Sequence, residues 1–403
     1  MSRLLRFVPF LFLLAGAVLL LPSRGQSLPL YAARTGLQCQ TCHFDPNGGG
    51  GRNEFGFNFA KNRHAIEPEA DGEFKDLALR NRVADDFPLY FGLNQRFMLL
   101  TDHQEVGSWP DASGFFNMES GLHLTFQPTA RLTMSYSNLT GPNGVASTRD
   151  AWGMIGFGPH YLRAGQFRVP FGLRMDDHTV ATRNSFLDYQ SGQRFLPYDP
   201  HQSDRGVEFG AAHGNFFGRT SWTNGTSALG GNPPTAGRHP QAIAAKFGYA
   251  MPQWQGGASF YDEWHPSGGQ GVRSTRWGYY GLTHYKQFAF LGEVAAGTDR
   301  NENSGDPIVK NLLAYWAEAD WSPRREYNLR VRYDHVALNR SSDDAIRDAN
   351  SYNRWALEGE YQPLPFAEIR WTLRLIDPVL AKDESDTEIP NEKQAYVQFH
   401  FTY

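Results

Sequence analysis

Both cysteines of the 403-residue chain fall in one pentapeptide, Cys39-Gln40-Thr41-Cys42-His43. Two thiols separated by two residues and followed by a histidine form the attachment pattern of a c-type haem. The spacing lets the thiols reach both vinyl groups of one porphyrin, while the histidine is delivered to the proximal side of the iron. A redox disulfide or half of a zinc site are the other readings. Zinc wants two more Cys or His ligands at motif spacing, and a thiol oxidoreductase wants a βαβ context absent from this sequence. Cys39, Cys42 and His43 are therefore expected to hold one covalent haem c. A second axial ligand is usually methionine or histidine. Between Gln26 and Phe87 there is no methionine, and His64 is the only other histidine. His64 is thus the expected sixth ligand, giving a bis-histidine iron of lower potential than a Met/His one. Met98 or an open, water-filled position is the fallback. The plainer alternative is a solvated His64 in the polar run Lys61-Asn62-Arg63-His64.

The elements that must position these residues begin close by. Asp45-Pro46-Asn47 and four glycines, Gly48 to Gly51, follow the motif. The glycines are expected to let backbone pass close to a flat ligand. Phe55, Phe57 and Phe59 are expected to supply apolar surface for the porphyrin. A segment of this size, 26–86, cannot bury a haem alone and needs a wall from elsewhere. Before it, Arg3 and Arg6 precede an apolar run from Phe7 to Leu21, then Pro22, Ser23 and Gly25. This reads as a secretory signal over 1–25, consistent with export before haem attachment. Fifteen apolar residues are short of the roughly 20 a spanning helix needs. No cysteine follows the run directly, which argues against a lipoprotein anchor.

Composition bounds the rest. The net charge of −4 argues against a nucleic-acid partner, and two cysteines cannot make a disulfide scaffold. Mean hydropathy of −0.51 alone would suit a soluble protein of two or three domains. Aromatic content of 14% and 41 glycines favour strands and tight turns. Beyond Gln26 no stretch approaches spanning-helix length, so membrane insertion would use strands.

Residues 87–403 read as alternating segments separated by turns. Leu132, Met134 and Tyr136 alternate with polar residues; so do Tyr327, Leu329, Val331 and Tyr333, and Ile369, Trp371, Leu373 and Leu375. Periodicity does not distinguish a soluble sandwich from a membrane barrel with its apolar face in lipid. The count helps: sixteen strands are predicted, from 88–101 to 393–403, and single-chain bacterial barrels require an even number. Links alternate between short ones and long ones, the latter including 102–113, 170–203, 264–272 and 337–350. The end of the chain, Val397, Phe399, Phe401 and Tyr403 on one face, resembles the C-terminal strand of outer-membrane barrels. The fold expected is a 16-stranded antiparallel transmembrane barrel, with both termini and the short turns periplasmic.

The longest link is the third outer loop, which in many sixteen-stranded porins folds inward. Its entrance, Gly165 to Leu173, resembles that of phosphate-selective porins, and Arg174, Asp176, Asp177, His178 and Arg183 are candidate lumen residues. Inward positions of the late strands mix signs: Glu318, Asp320, Arg330, Arg332, Asp334, Arg354, Glu358, Glu360, Glu368, Arg370 and Arg374. Such charges can pair with each other or with haem propionates, which suits a plugged barrel better than a single-sign selectivity ring. The Asp/Asn-rich segments 301–306 and 341–344 read mainly as hydrophilic outer loops, with hard-cation binding as the sharper alternative.

Joined, the two halves resemble the fused outer-membrane monohaem cytochrome–porins known best from iron-oxidising bacteria. Ala33, Thr35-Gly36, Cys39-Gln40-Thr41-Cys42-His43 and Asn53-Glu54-Phe55-Gly56 carry the resemblance. It implies a cytochrome segment over 26–86 plugging a barrel over 87–403. It also implies electron transfer between an extracellular donor, ferrous iron in that family, and a periplasmic carrier. Outer-membrane lipid is the remaining partner implied. A solute or anion porin whose haem segment is only a plug or sensor is the alternative, and a soluble periplasmic cytochrome with a sandwich is a third.

Overall fold

A computed structural model describes residues 29–37, 39–68, 79–104, 112–141, 146–174, 179–183, 195–197, 203–225, 242–267, 270–301, 309–338, 351–379 and 391–403. The predicted signal segment 1–25 lies outside these, as do Asp176, Asp177 and His178. Three short helices come first: α1 (Pro29–Thr35), α2 (Cys39–Cys42) and α3 (Glu54–Lys61). A short strand, β1 (Arg82–Ala84), pairs with the start of β2 (Phe87–Gln104). From there each strand pairs antiparallel with the next through β17 (Glu392–Thr402), and β17 pairs back onto β2. β2 to β17 thus form a closed barrel of sixteen strands.

Burial decides what periodicity left open. In β14 (Tyr327–Ala337) Arg330, Arg332 and Asp334 are buried, while Leu329 and Val331 are exposed. In β16 (Ala367–Pro378) Thr372 and Arg374 are buried, while Trp371, Leu373 and Leu375 are exposed. Charges point to the lumen and apolar side chains point out. That is the pattern of a strand facing hydrocarbon, where an outward charge would cost several kcal/mol or lose its partners.

The two ends differ. At one end the links are short: 130–131, 158–159, 214–215, 251–253, 286–287, 325–326 and 365–366. Positive φ at Gly158 (66°), Gly214 (55°), Lys286 (54°) and Phe366 (64°) lets the chain reverse within two or three residues. Outward aromatics ring this end, including the pairs Phe216–Tyr249, Phe288–Trp321 and Tyr327–Tyr361. Ring edges and hydroxyls suit the boundary between hydrocarbon and water. The opposite end carries the long links with one correction. β10 (Trp254–Ser267) and β11 (Gln270–Tyr285) run on to pair Ser267 with Gln270, so only two residues separate them where a link over 264–272 was expected. Alternation ends at the charged stretch 262–265, yet the ladder continues past it.

Candidate functional site

The Cys-x-x-Cys-His residues sit inside the short-turn end of the barrel. α2 is a single turn with Cys39 first and Cys42 last, which puts both thiols on one face; the His43 amide donates to the Cys39 carbonyl (2.8 Å). Both cysteines are free, Cys39 buried and Cys42 half-buried. Burial pushes the Cys39 thiol up to about 11, against the pull of Arg219 and Lys246, and also raises that of Cys42.

Asn53 ties the motif to α3. Its amide nitrogen donates to the carbonyls of Gln40 (3.2 Å) and Thr41 (3.0 Å), and its backbone N–H donates to the Cys42 carbonyl (3.0 Å). Its side-chain oxygen caps α3 by accepting from Gly56 N–H (2.9 Å). Gly56 is required by close approach, since a Cβ there would overlap the Cys42 carbonyl. The sequence pointed to Asn53-Glu54-Phe55-Gly56 by resemblance; the contacts supply the physical reason for two of these four.

Gly48, Gly49 and Gly50 take φ of 86°, 71° and 63°, a left-handed run that glycine adopts without steric cost. Gly50 and Gly51 lie against Asp150, Arg168, Ser137 and Thr125 of the wall, and a Cβ at Gly51 would press on Thr125 at 3.0 Å. The phenylalanines divide. Phe57 packs on Phe366 and Tyr403, Phe59 meets Tyr31 edge-on, and Phe55 is exposed.

His64 follows α3 in a left-handed conformation (φ 57°) and stacks on Tyr31 with ring centroids 4.1 Å apart. Its Nδ1 lies 2.6 Å from the Gln362 amide. Burial, reinforced by Arg52, pushes its pKa down to about 3, so the imidazole is neutral. Met98 is distant in kind, buried in an apolar cluster with Met118 and Tyr396 of the barrel wall.

The segment is locked to the lumen by residues that sequence reasoning did not pair. Asp45 and Arg163 form a buried ion pair at 2.8 Å, and Arg163 also holds Glu208 at 2.9 Å. Asn47 donates to Glu208 (3.0 Å) and accepts from Arg219 (2.8 Å), while Arg168 donates to the Gly48 carbonyl (2.7 Å). Phe44 enters an apolar cluster with Trp152 and Phe167. The Asp45-Pro46-Asn47 turn was visible in the sequence; its partners are more than 100 residues away.

Above the segment the third loop folds inward, as its length suggested. Glu293 pairs with Arg183 (2.9 Å) and accepts from Leu173 N–H (2.8 Å). Arg174 pairs with Glu318, Ala181 N–H donates to Asp334 (2.9 Å) and Trp316 donates to Thr182 (3.1 Å). Phe171, Ala181, Phe195 and Leu196 share one apolar cluster with wall residues, and Leu30 and Ala33 of α1 share another with Leu173, Val180 and Trp316. Arg174 and Arg183, candidates from the sequence, are both buried lumen residues. The mixed-sign positions pair with one another: Arg330 with Asp320 (2.9 Å), Glu358 (3.0 Å) and Glu360 (3.0 Å), and Arg332 with Asp334 (3.0 Å). An open aqueous pore leaves its lining charges wet. Here Glu208, Glu263, Arg276, Asp334 and Arg354 are each 0% exposed, so the lumen around them is filled.

The cysteine pair fits a covalent porphyrin on its donor chemistry: two free thiols on one face, a histidine directly after them, and the cations Arg219 and Lys246 acting on the buried thiol.

No protein-family profile matches the chain, and no curated protein matches it. Solved structures do. The anion-selective porin from Comamonas acidovorans aligns over 78% of this chain and 99% of its own, with 9% identity and a TM-score of 0.58. The outer-membrane channel DcaP of Acinetobacter baumannii aligns over 78% and 97%, with 11% identity and a TM-score of 0.56. Outer-membrane expressed OmpT of Vibrio cholerae aligns over 80% and 100%, with 11% identity and a TM-score of 0.56. At such identities the likeness concerns the fold, and the barrel is of the porin type.

Proposed function

We propose that this is an outer-membrane electron-transfer protein of the fused monohaem cytochrome–porin kind, with a signal segment over 1–25. In this reading the short-turn end is periplasmic, lipid surrounds the outward apolar face, and electrons pass between an extracellular donor and a periplasmic carrier. Ferrous iron is the donor that the family resemblance suggests, which would make the chain an extracellular Fe(II)-oxidising cytochrome. The observation carrying the reading is a Cys-x-x-Cys-His turn seated in the mouth of a barrel whose lumen is filled, an arrangement that favours moving electrons over moving solutes.

Haem c, when bound, supplies reversible one-electron chemistry. The chain's own part is to hold and shield it. Cys39 and Cys42 provide the covalent anchors, and Asn53 fixes the turn that carries them. His43, directly after them, would ligate the iron. Arg219, whose charge acts on the buried Cys39 thiol, would offer positive charge to a propionate. His64 is the proposed distal ligand. Its neutral imidazole suits that role; the Gln362 amide nitrogen faces Nδ1 at 2.6 Å, and turning that amide over to present its oxygen to Nδ1–H would leave Nε2 as the donor lone pair.

The likeness to porins, among them one described as anion-selective, favours a second reading: a solute or anion porin in which the segment is a plug or sensor. Absorption spectroscopy with redox titration, paired with planar-bilayer conductance, separates the two. The electron-transfer reading expects a covalent haem spectrum, low conductance and loss of redox activity in Cys39→Ala. Full electron transfer by Cys39→Ala, or high conductance without any haem, would sink it.

A further inference from the structure

The plug presents an exposed face at the short-turn end, which the barrel touches where Arg325 donates to the Glu67 carbonyl (3.5 Å). α3 buries Gly56, Phe57, Phe59 and Ala60 against α2 and the wall, which leaves Glu54, Phe55 and Asn58 exposed on its other side. Beyond the helix Ile66 and Glu67 are exposed too. Phe55 and Ile66, 40% and 52% exposed, belong to the plug and not to the outward band of the strands. This ridge adjoins the haem motif: Asn53, directly before Glu54, clamps the carbonyls of Gln40 and Thr41, and Gln40 is itself exposed.

Charge is distributed in two zones at this end. The plug and the stretch leading into the barrel expose Glu54, Glu67, Asp85 and Asp86, with Arg80 paired to Asp85. The barrel turns around them expose Arg131, Lys286, Arg324 and Arg325. Exposed Phe55 follows exposed Glu54, and exposed Ile66 precedes exposed Glu67, so each apolar anchor has a carboxylate beside it, the pairing of a transient protein interface in which charge steers encounter. The basic outer ring suits anionic lipid headgroups beside the barrel.

We propose that the ridge Glu54–Phe55–Asn58, continued by Ile66 and Glu67, is the docking site for a soluble redox protein with a basic face around its own cofactor. This inference rests on the electron-transfer reading and adds where the carrier binds and what charge it bears. Acid on the plug raises the encounter rate of a basic partner, and Phe55 gives it a desolvated contact beside the covalent motif.

The test uses the full-length holoprotein in detergent, reduced and mixed by stopped flow with two oxidants. Ferricyanide, a small anion, reports whether the protein gives up electrons at all. A basic monohaem cytochrome c reports docking. Glu54→Lys with Glu67→Lys should slow reaction with the basic cytochrome about tenfold at low salt, and the difference should shrink as salt rises. Phe55→Ser should slow it at all salt concentrations. Neither variant should slow ferricyanide. Unchanged rates with the basic cytochrome in both variants would overturn the docking site while leaving electron transfer intact. A wild-type protein that ferricyanide fails to oxidise would instead overturn the reading beneath it.

Discussion

At the scale of single residues, the motif's geometry depends on side chains outside it. Asn53 satisfies carbonyls of Gln40 and Thr41 and caps α3 at once. Asn53→Ala should cost about 1 kcal/mol for the cap alone and lower the haem-to-protein ratio in purified material. Asn53→Asp keeps a capping oxygen but cannot donate to the carbonyls, so it should keep most thermal stability and still lose haem occupancy. Equal occupancy in Asp and wild type would show that the clamp is irrelevant. The thiols offer a second check. In haem-free protein, burial holds Cys39 near pKa 11, so little thiolate forms at neutral pH. Cys39 should therefore alkylate on the order of 100-fold more slowly than a free cysteine of pKa about 8.5, and half-buried Cys42 should react first. Mass spectrometry of partly alkylated protein reads the order.

At the scale of elements, the described part of the inner loop is fastened by buried charge pairs. Arg183 is fully buried, pairs with Glu293 and donates to the carbonyls of Phe171 and Arg174 at 2.8 and 2.9 Å. Removing one member strands the other's charge, which costs about 3–5 kcal/mol. Arg183→Ala should lower the melting temperature, read by thermal unfolding in detergent, while the plug still keeps conductance low. A Glu293→Gln, Arg183→Met pair, which removes both charges, should recover much of the stability. The loop's length marked it as special in the sequence, and Arg174 and Arg183 stood out as lumen candidates. Their partners, Glu318 and Glu293, lie on strands more than 100 residues later, beyond the reach of any local pattern.

At the scale of the whole molecule, two independent bodies close the barrel: the N-terminal plug at the short-turn end and the third loop above it. They meet where Leu30 and Ala33 share a cluster with Leu173 and Val180. Deleting residues 29–68 should therefore leave conductance low, because Glu293 and Asp334 still hold the loop. Deletion combined with Arg183→Ala should bring it to the range of an open porin. Porin-like conductance after the deletion alone would show that the plug is the only barrier.

The sequence by itself determined the strands, since alternation is local, and it located the cysteine pair, since two thiols and a histidine in five residues need no context. The even strand number followed from the same local signals, as did the alternation of link length except between β10 and β11. Tertiary structure decided which face of each strand looks inward, because a period of two is symmetric until one side is closed off. It decided what Gly50, Gly51 and Phe57 pack against, since Asp150, Thr125 and Tyr403 lie far along the chain from them. It also placed His64 between Tyr31 and Gln362. That contact joins the two ends of the chain, and no spacing along a sequence encodes it.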